Sequence, residues 1–218
     1  MHIVEPSHVI ITSISVEDAY GCIERAGRTA YKSEDRITPG SSSKLIASII
    51  GRGHESVLEH YGFSVRFICD RGVSHEIVRH RLCAFTQEST RYCNYSKLGV
   101  TFVRPVFWRP NTSPLYRKWL AAMGNAEEAY NFLMERGATP QEARSVLPNS
   151  LKTEIVVTAN VREWRHILKL RTSSANHPQM RELMLPLLGE LRIRLPVLFQ
   201  DIPLPGDYQL VPRHVGEE

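Results

Sequence analysis

The spacing of apolar residues predicts a chain in which helices outnumber strands. Residues 61–70 (YGFSVRFICD) place apolar side chains at every second position, which is typical of a strand with one buried face. Residues 8–14 (HVIITSI) and 152–160 (KTEIVVTAN) are rich in β-branched side chains and are predicted to be strands as well. Because helices and strands do not alternate regularly, we predict an α+β fold, helix-rich with a small central sheet, rather than a doubly wound sheet.

The remaining apolar residues follow helical spacing, with polar segments between them. Ser113 is a candidate N-cap followed by Pro114 at the first helical position, and Pro186 and Pro196 are expected to kink or break the last helix. Residues 32–43 and 105–112 are predicted to be loops because they are rich in Gly, Pro, Ser or Asn. The predicted helices cover residues 16–31, 44 to Gly51 or Gly53, 72–82, 113–137, 139–148, 161–171 and 177–199.

Length and composition narrow the class of protein. A chain of 218 residues with 42% hydrophobic content is long enough for one domain over residues 1–218, with residues 203–218 expected to form an irregular arm. The net charge of +4 is too small for a protein that coats nucleic acid, although it suits small anionic ligands. The sequence contains neither a leader pattern nor a segment of about 20 apolar residues, so we expect a cytoplasmic protein with no membrane contact. Four scattered cysteines are expected to be buried, reduced thiols.

The densest cluster of reactive side chains lies between residues 79 and 92. If the helix continues to Leu82, Arg79, His80 and Arg81 point in three directions about 100° apart and could serve separate phosphates or separate subunits. The polar loop that follows offers Ser89 and Arg91, which are suited to hold a nucleotide phosphate through charge-assisted hydrogen bonds. A solvated basic helix end explains the same residues, and spacing alone does not decide between the two interpretations.

Four segments together resemble the flavin-dependent thymidylate synthase family. The R-H-R triplet at 79–81 followed by Ser89, Arg91 and Tyr92 resembles the signature of that family. Residues 54–60 (HESVLEH), 143–148 (ARSVLP) and the segment from Asn160 to Arg171 resemble its other elements and occur in the same order.

The resemblance implies an activity, its cofactors and an assembly. The expected reaction is reductive methylation of dUMP to dTMP, with methylenetetrahydrofolate as carbon donor and NADPH-reduced FAD as hydride donor. The expected assembly is a homotetramer whose active sites lie at subunit junctions. By position, the residues expected around dUMP are Glu76, Arg79, Gln87, Glu88, Ser89, Thr90, Arg91, Arg144 and Arg171. Those expected to contact FAD are His54, Ser56, Arg79, His80, Arg81, Gln87, Asn160, Arg162 and His166.

The catalytic step could use a cysteine nucleophile or an arginine that stabilises anionic uracil. Cys83 and Cys93 flank the signature, but the resemblance implies no thiol at the site and assigns the activating role to Arg171, whose guanidinium stays protonated. Ser89 as a nucleophile would need a positioned base, so a phosphate ligand is the better role. A helix C-terminal charge is the simpler alternative for Arg171.

The sequence is compatible with other functions besides the enzyme. A single-stranded nucleic-acid binder could use Arg79, Arg81, Arg91 and Arg104 with the aromatic residues Tyr92, Tyr95, Phe102, Phe107 and Trp108. An oligomerisation module could use the same arginines in ion pairs between subunits. A metal site is not expected, since His54 and His60 are six residues apart rather than four. No G-x-G-x-x-G segment predicts a Rossmann fold.

Overall fold

The computed structural model describes residues 1–97, 99–108, 111–206 and 208. It divides into two compact units, each made of two stretches of chain. Unit 1 comprises Met1–Val9 and Val65–Val157, and unit 2 comprises Ile10–Ser64 and Thr158–Glu218. The single domain expected over residues 1–218 stays a prediction. The expected C-terminal arm lies mostly outside the described residues.

Short strands and longer helices make up the described chain. The strands are β1 (His2–Val4), β2 (Ser7–Ile10), β3 (Gly62–Asp70), β4 (Ala84–Gln87), β5 (Thr101–Val103) and β6 (Lys152–Asn160). The helices are α1 (Val16–Thr29), α2 (Ser41–Gly51), α3 (Arg71–Ile77), α4 (Pro114–Glu135), α5 (Pro140–Ala143), α6 (Val161–Arg171), α7 (Pro178–Arg194) and α8 (Pro196–Phe199). Short 3-10 helices cover Glu34–Arg36, Glu55–His60 and Arg144–Val146. Within the described chain, every helix is too short or too polar to cross a membrane.

The strands of the described chain form two small sheets, whereas the sequence predicted one small central sheet. β1 pairs in parallel with β5, with Ile3 opposite Phe102, and the other sheet has the order β2-β3-β6-β4. The sequence predicted β3 and β6 correctly, but β2 ends at Ile10 instead of residue 14. It missed β1, β4 and β5, because three or four residues are too few to show an alternating pattern.

Both long strands lead directly into a helix that their last residue caps. Asp70 at the end of β3 accepts a hydrogen bond from the backbone N–H of Val73 at 2.8 Å, and α3 follows. Asn160 at the end of β6 accepts from the N–H of Glu163 at 2.9 Å, and α6 follows. Such caps satisfy backbone donors that the first helical turn leaves unpaired.

The predicted helix over 72–82 is too long. α3 ends at Ile77, and Arg79 and Arg81 lie in the turns that follow it. The helix stops early because the chain must become extended by Ala84 to enter β4. Arg79, His80 and Arg81 therefore do not fan out around a helix.

Unit 1 has an aromatic core built around α4. Ser113 accepts from the N–H of Leu115 at 3.2 Å and Pro114 occupies the first turn, which confirms the predicted start of this helix. Trp119 donates its indole N–H to the Ser150 hydroxyl at 3.1 Å. The buried cluster consists of Val100, Phe102, Tyr116, Trp119, Met123, Tyr130, Ala143 and Leu151.

Unit 2 packs α1 against α2, and α6 against α7 and α8. Trp164 stacks on Phe63 with ring centroids 5.3 Å apart and donates its N–H to the Phe63 carbonyl at 3.1 Å. Pro196 separates α7 from α8 as predicted, whereas Pro186 lies inside a continuous α7. An internal proline costs a helix about 3 kcal/mol. Burial of the leucines on either side of Pro186 offsets that cost. These are Leu183, Leu185, Leu187 and Leu188.

Candidate functional site

A compact turn follows β4 in unit 1 and carries the predicted phosphate residues. The backbone N–H groups of Tyr92 and Cys93 both donate to the Ser89 carbonyl, at 3.1 and 3.0 Å. The N–H of Arg91 donates to the Ser89 hydroxyl at 3.3 Å. Thr90 is buried and Arg91 is exposed. Residues 89–91 therefore form an ordered turn that concentrates hydroxyl and guanidinium groups, which we call the S-T-R turn.

The two residues before this turn bond to the protein itself. Gln87 donates from Nε2 to the hydroxyls of Ser74 at 2.9 Å and Thr153 at 3.1 Å. Glu88 accepts from the Tyr95 hydroxyl at 2.7 Å and from Lys152 Nζ at 3.0 Å. Both side chains, expected at the nucleotide, thus have protein partners in this structure.

A cleft of about 470 Å³ lies beside the S-T-R turn in unit 1. Arg144, which belongs to the predicted substrate residues, donates from Nη1 to the Thr90 hydroxyl at 3.2 Å. Arg91 Nε lies 3.4 Å from the Gln141 side-chain oxygen, which also borders the cleft. The structure therefore brings Thr90, Arg91 and Arg144 together, as the resemblance implies. The lining residues are Arg71, His75, Thr90, Gln141, Arg144, Ser145, Leu147, Pro148, Asn149 and Leu151.

Arg71 is a cleft residue that the sequence analysis did not select. Its backbone N–H donates to the carbonyls of Asn149 and Leu151, which fixes the start of α3 against the loop before β6. Its Nη1 atom is buried and has no hydrogen-bond partner among the described residues. A buried guanidinium nitrogen without an acceptor is costly, so an anion in this cleft would supply what the protein does not. The sequence shows only that Arg71 and His75 are four residues apart, as neighbours on one helix face are. Only the structure shows that both line the cleft.

The other predicted residues of unit 1 lie on and after α3. Glu76 is half-buried in the last turn of the helix. Arg79 and Arg81 are exposed, whereas His80 between them is buried. The two arginines thus present their guanidinium groups to solvent, and His80 does not.

The predicted flavin residues of unit 2 lie on two segments. His54 and Ser56 are exposed at the start of the 3-10 helix Glu55–His60. On α6, Arg162 is exposed and pairs with Glu59, while His166 is exposed and Arg171, the last helical residue, is half-buried. Asn160 already uses its side-chain oxygen to cap α6.

The four cysteines are free thiols, as expected, but Cys69 alone of them is buried. Burial raises the pKa of the Cys69 thiol far above its usual range, so this side chain is poorly suited to act as a nucleophile at neutral pH. Cys22, Cys83 and Cys93 are partly exposed.

Comparison with known proteins identifies the family. Residues 13–197 match the family model described as thymidylate synthase complementing protein. The chain belongs to this family. Relatives of this chain include proteins named flavin-dependent thymidylate synthase. The one from Pyrococcus furiosus is 36% identical over 172 residues, covering 77% of this chain and 70% of the relative.

Two further comparisons extend this match. A protein of Mycobacterium phage D29, named probable flavin-dependent thymidylate synthase, is 35% identical over 202 residues and covers 87% of this chain and 86% of its own length. The crystal structure of a UMP/dUMP methylase, PolB from Streptomyces cacaoi bound with 5-Br dUMP, superposes with a TM-score of 0.76 at 24% identity. That match covers 92% of this chain and 96% of the other, and it confirms the helix-rich α+β fold.

Proposed function

We propose that this chain is a flavin-dependent thymidylate synthase that methylates dUMP to dTMP, with methylenetetrahydrofolate as carbon donor and NADPH as the source of the hydride that passes through FAD. Family membership favours this function over the single-stranded nucleic-acid binder and the oligomerisation module. The carrying observation is the cleft of unit 1, where Arg71 Nη1 is buried without an acceptor among the described residues. A nucleotide phosphate carries negative charge and acceptor oxygens, which would complement the arginines of this cleft.

In this proposal the cleft and the S-T-R turn hold the 5′-phosphate of dUMP. Arg71 and Arg144 supply guanidinium N–H donors, and the hydroxyls of Ser89 and Thr90 add directional hydrogen bonds. Arg91 provides further positive charge at the exposed side of the turn. The resemblance adds Glu76, Arg79 and Gln87 to the residues around dUMP.

Arg171 is proposed to activate the uracil ring. Methyl transfer requires C5 of uracil to become nucleophilic, which places negative charge on the ring. A guanidinium that stays protonated at every working pH stabilises that charge without removing a proton. No enzyme thiol is required in this proposal, as the resemblance implies. The raised pKa of Cys69 disfavours that residue alone as a nucleophile, and Cys83 and Cys93 are tested by their replacement.

FAD would be held by His54, Ser56, Arg79, His80, Arg81, Gln87, Asn160, Arg162 and His166. The chemistry of these side chains fits the cofactor, because the exposed guanidinium groups of Arg79, Arg81 and Arg162 suit a pyrophosphate. Asn160 would donate through its side-chain amide, since its oxygen already caps α6. When bound, FAD supplies hydride transfer, and the protein orients it.

The proposal includes an assembly and a location. We infer a homotetramer with active sites at subunit junctions, because the resemblance implies one. We also propose a cytoplasmic protein whose partners are dUMP, folate and further copies of the chain, without a bound metal or nucleic acid.

Calorimetric titration of the FAD-loaded protein with dUMP tests the phosphate site. We expect Arg71→Ala and Arg91→Ala each to weaken dUMP binding by about 10- to 150-fold, because a hydrogen bond to a charged group contributes about 1.5 to 3 kcal/mol. The flavin absorbance should persist in both variants. Arg194→Ala, which removes an exposed arginine of α7 that pairs with Glu190, is the control and should bind dUMP normally. If a folded Arg71→Ala variant binds dUMP with unchanged affinity, this cleft does not bind the phosphate.

A further inference from the structure

The S-T-R turn lies inside a short loop that is closed by side-chain hydrogen bonds. The Tyr95 hydroxyl donates to Glu88 Oε1 at 2.7 Å, which joins the residue before the turn to a residue shortly after it. On one side, the Glu88 backbone N–H donates to the Glu154 carbonyl at 2.8 Å and so extends the pairing of β4 with β6. On the other side, the Tyr95 N–H donates to the Tyr130 hydroxyl at 3.3 Å. Both ends of the loop are thus attached to the body of unit 1.

The second carboxylate oxygen of Glu88 is also engaged. Glu88 Oε2 accepts from Lys152 Nζ at 3.0 Å and from the Glu154 N–H at 3.3 Å. Lys152 in turn donates to Glu154 Oε1 at 2.7 Å. The side chains of Glu88 and Lys152 are only 17% and 20% exposed, so water cannot readily replace a lost partner. The Glu88 carboxylate therefore accepts hydrogen bonds from three donors of unit 1, the Tyr95 hydroxyl, Lys152 Nζ and the Glu154 N–H.

The protonation states agree with this network. Burial lowers the pKa of Lys152, but its hydrogen bonds to Glu154 and Glu88 outweigh that effect and raise the pKa overall. Burial and the bond to Glu88 raise the pKa of Tyr95, so its hydroxyl remains a donor throughout the neutral range. The Lys152 ammonium and the Tyr95 hydroxyl thus keep the protons that the Glu88 carboxylate accepts.

We propose that Glu88, Tyr95 and Lys152 are positioning residues that hold the S-T-R turn in the shape that binds the nucleotide phosphate. This rests on the proposed function, in which that turn holds the phosphate of dUMP. Glu88 then acts through Ser89 and Arg91 rather than by touching dUMP, in contrast to the role that the resemblance implies. The Tyr95 hydroxyl closes the loop by donating to the Glu88 carboxylate, and Lys152 holds that carboxylate in place.

Loss of the loop closure should weaken binding of the phosphate in particular. Hydrogen bonds weaken steeply when donor and acceptor lose alignment, so a loosened turn loses the phosphate contacts first. In the proposed function the uracil ring is contacted by Arg171, which lies outside the turn. Loss of the loop closure should therefore lower affinity for dUMP more than affinity for deoxyuridine, which lacks the phosphate.

The test compares the two ligands on FAD-loaded enzyme. Tyr95→Phe removes one hydroxyl and keeps the aromatic ring, whose centroid lies 5.9 Å from that of the Tyr130 ring. We expect it to raise the dUMP dissociation constant about three- to tenfold, the effect of one lost hydrogen bond, and to leave deoxyuridine binding within about twofold. The KM for dUMP should rise while kcat at saturating dUMP is retained. Glu88→Gln, which keeps an acceptor for Tyr95, should be affected less than Glu88→Ala.

A matched control removes a buried tyrosine hydroxyl elsewhere. Tyr20 accepts from the Val197 N–H at 2.9 Å in unit 2, so Tyr20→Phe costs a comparable bond but should leave the preference for dUMP over deoxyuridine unchanged. A Tyr95→Phe variant that loses affinity equally for both ligands, or for neither, overturns the positioning role. If the unaltered enzyme binds dUMP no better than deoxyuridine, the phosphate site itself fails, and the positioning role with it.

Discussion

Arg165→Ala is expected to lower the free energy of unfolding by about 3 kcal/mol, the low end of the range for breaking a buried ion pair. The Arg165 side chain is fully buried, and it donates to Asp201 Oδ1 at 2.7 Å and to Glu55 Oε1 at 3.0 Å. It also donates to the Leu198 carbonyl. These bonds join α6, the 3-10 helix Glu55–His60 and the turn after α8. Asp201 is 42% exposed, so solvent recovers part of the loss, which is why the low end applies.

Thermal and urea unfolding measure this change. For a chain of this length, each kcal/mol shifts Tm by about 2 to 4 °C, so the expected fall is about 6 to 12 °C. Arg194→Ala is the matched control, because its pair with Glu190 is 42% and 31% exposed. That variant should lose less than about 1 kcal/mol. If Arg165→Ala is no less stable than Arg194→Ala, the buried cluster does not stabilise unit 2 as argued.

Two further predictions concern catalysis and acid stability. Arg171→Ala should slow dTMP formation about 100- to 1000-fold at saturating dUMP while NADPH still reduces the flavin, and near-normal methylation would leave this residue with a helix-end role. The Arg165 guanidinium lowers the pKa of Asp201 through a hydrogen bond. A carboxylate with a lowered folded-state pKa adds stability above its unfolded pKa, and this stability is lost as the pH falls through the folded value. Urea midpoints should therefore fall more steeply below about pH 4 in the parent than in Asp201→Asn.

The sequence predicted the long elements of the fold and, apart from β2, missed the short strands. β3 and α4 were predicted because they are long enough to display a period and, for α4, a cap at Ser113. β4 was taken as part of a loop, since its four residues acquire their extended shape from pairing with β6 rather than from their own pattern. Tertiary pairing also shortened α3, a result that local propensity does not contain.

The resemblance selected part of the candidate site, and it missed the contacts that arise only when the chain folds. Thr90 and Arg144 are 54 residues apart, and the structure joins them by a hydrogen bond. The resemblance implies that both lie near the nucleotide, which stays a prediction. Arg71 escaped selection because an arginine after a strand is ordinary until the fold buries its Nη1 atom. The partners of Glu88 were equally hidden, since Lys152 lies 64 residues away.

The cap that Asn160 provides for α6 complicates any mutational study of flavin binding. Asn160→Ala would remove an expected cofactor contact, but it would also cost about 0.5 to 2 kcal/mol at the start of α6. That helix carries Arg162, His166 and Arg171, so a loss of flavin in such a variant could arise from a frayed helix and not from a missing contact. Asn160→Asp separates the two effects, because aspartate caps helices as well as asparagine does but lacks the amide N–H groups that would bind a ligand.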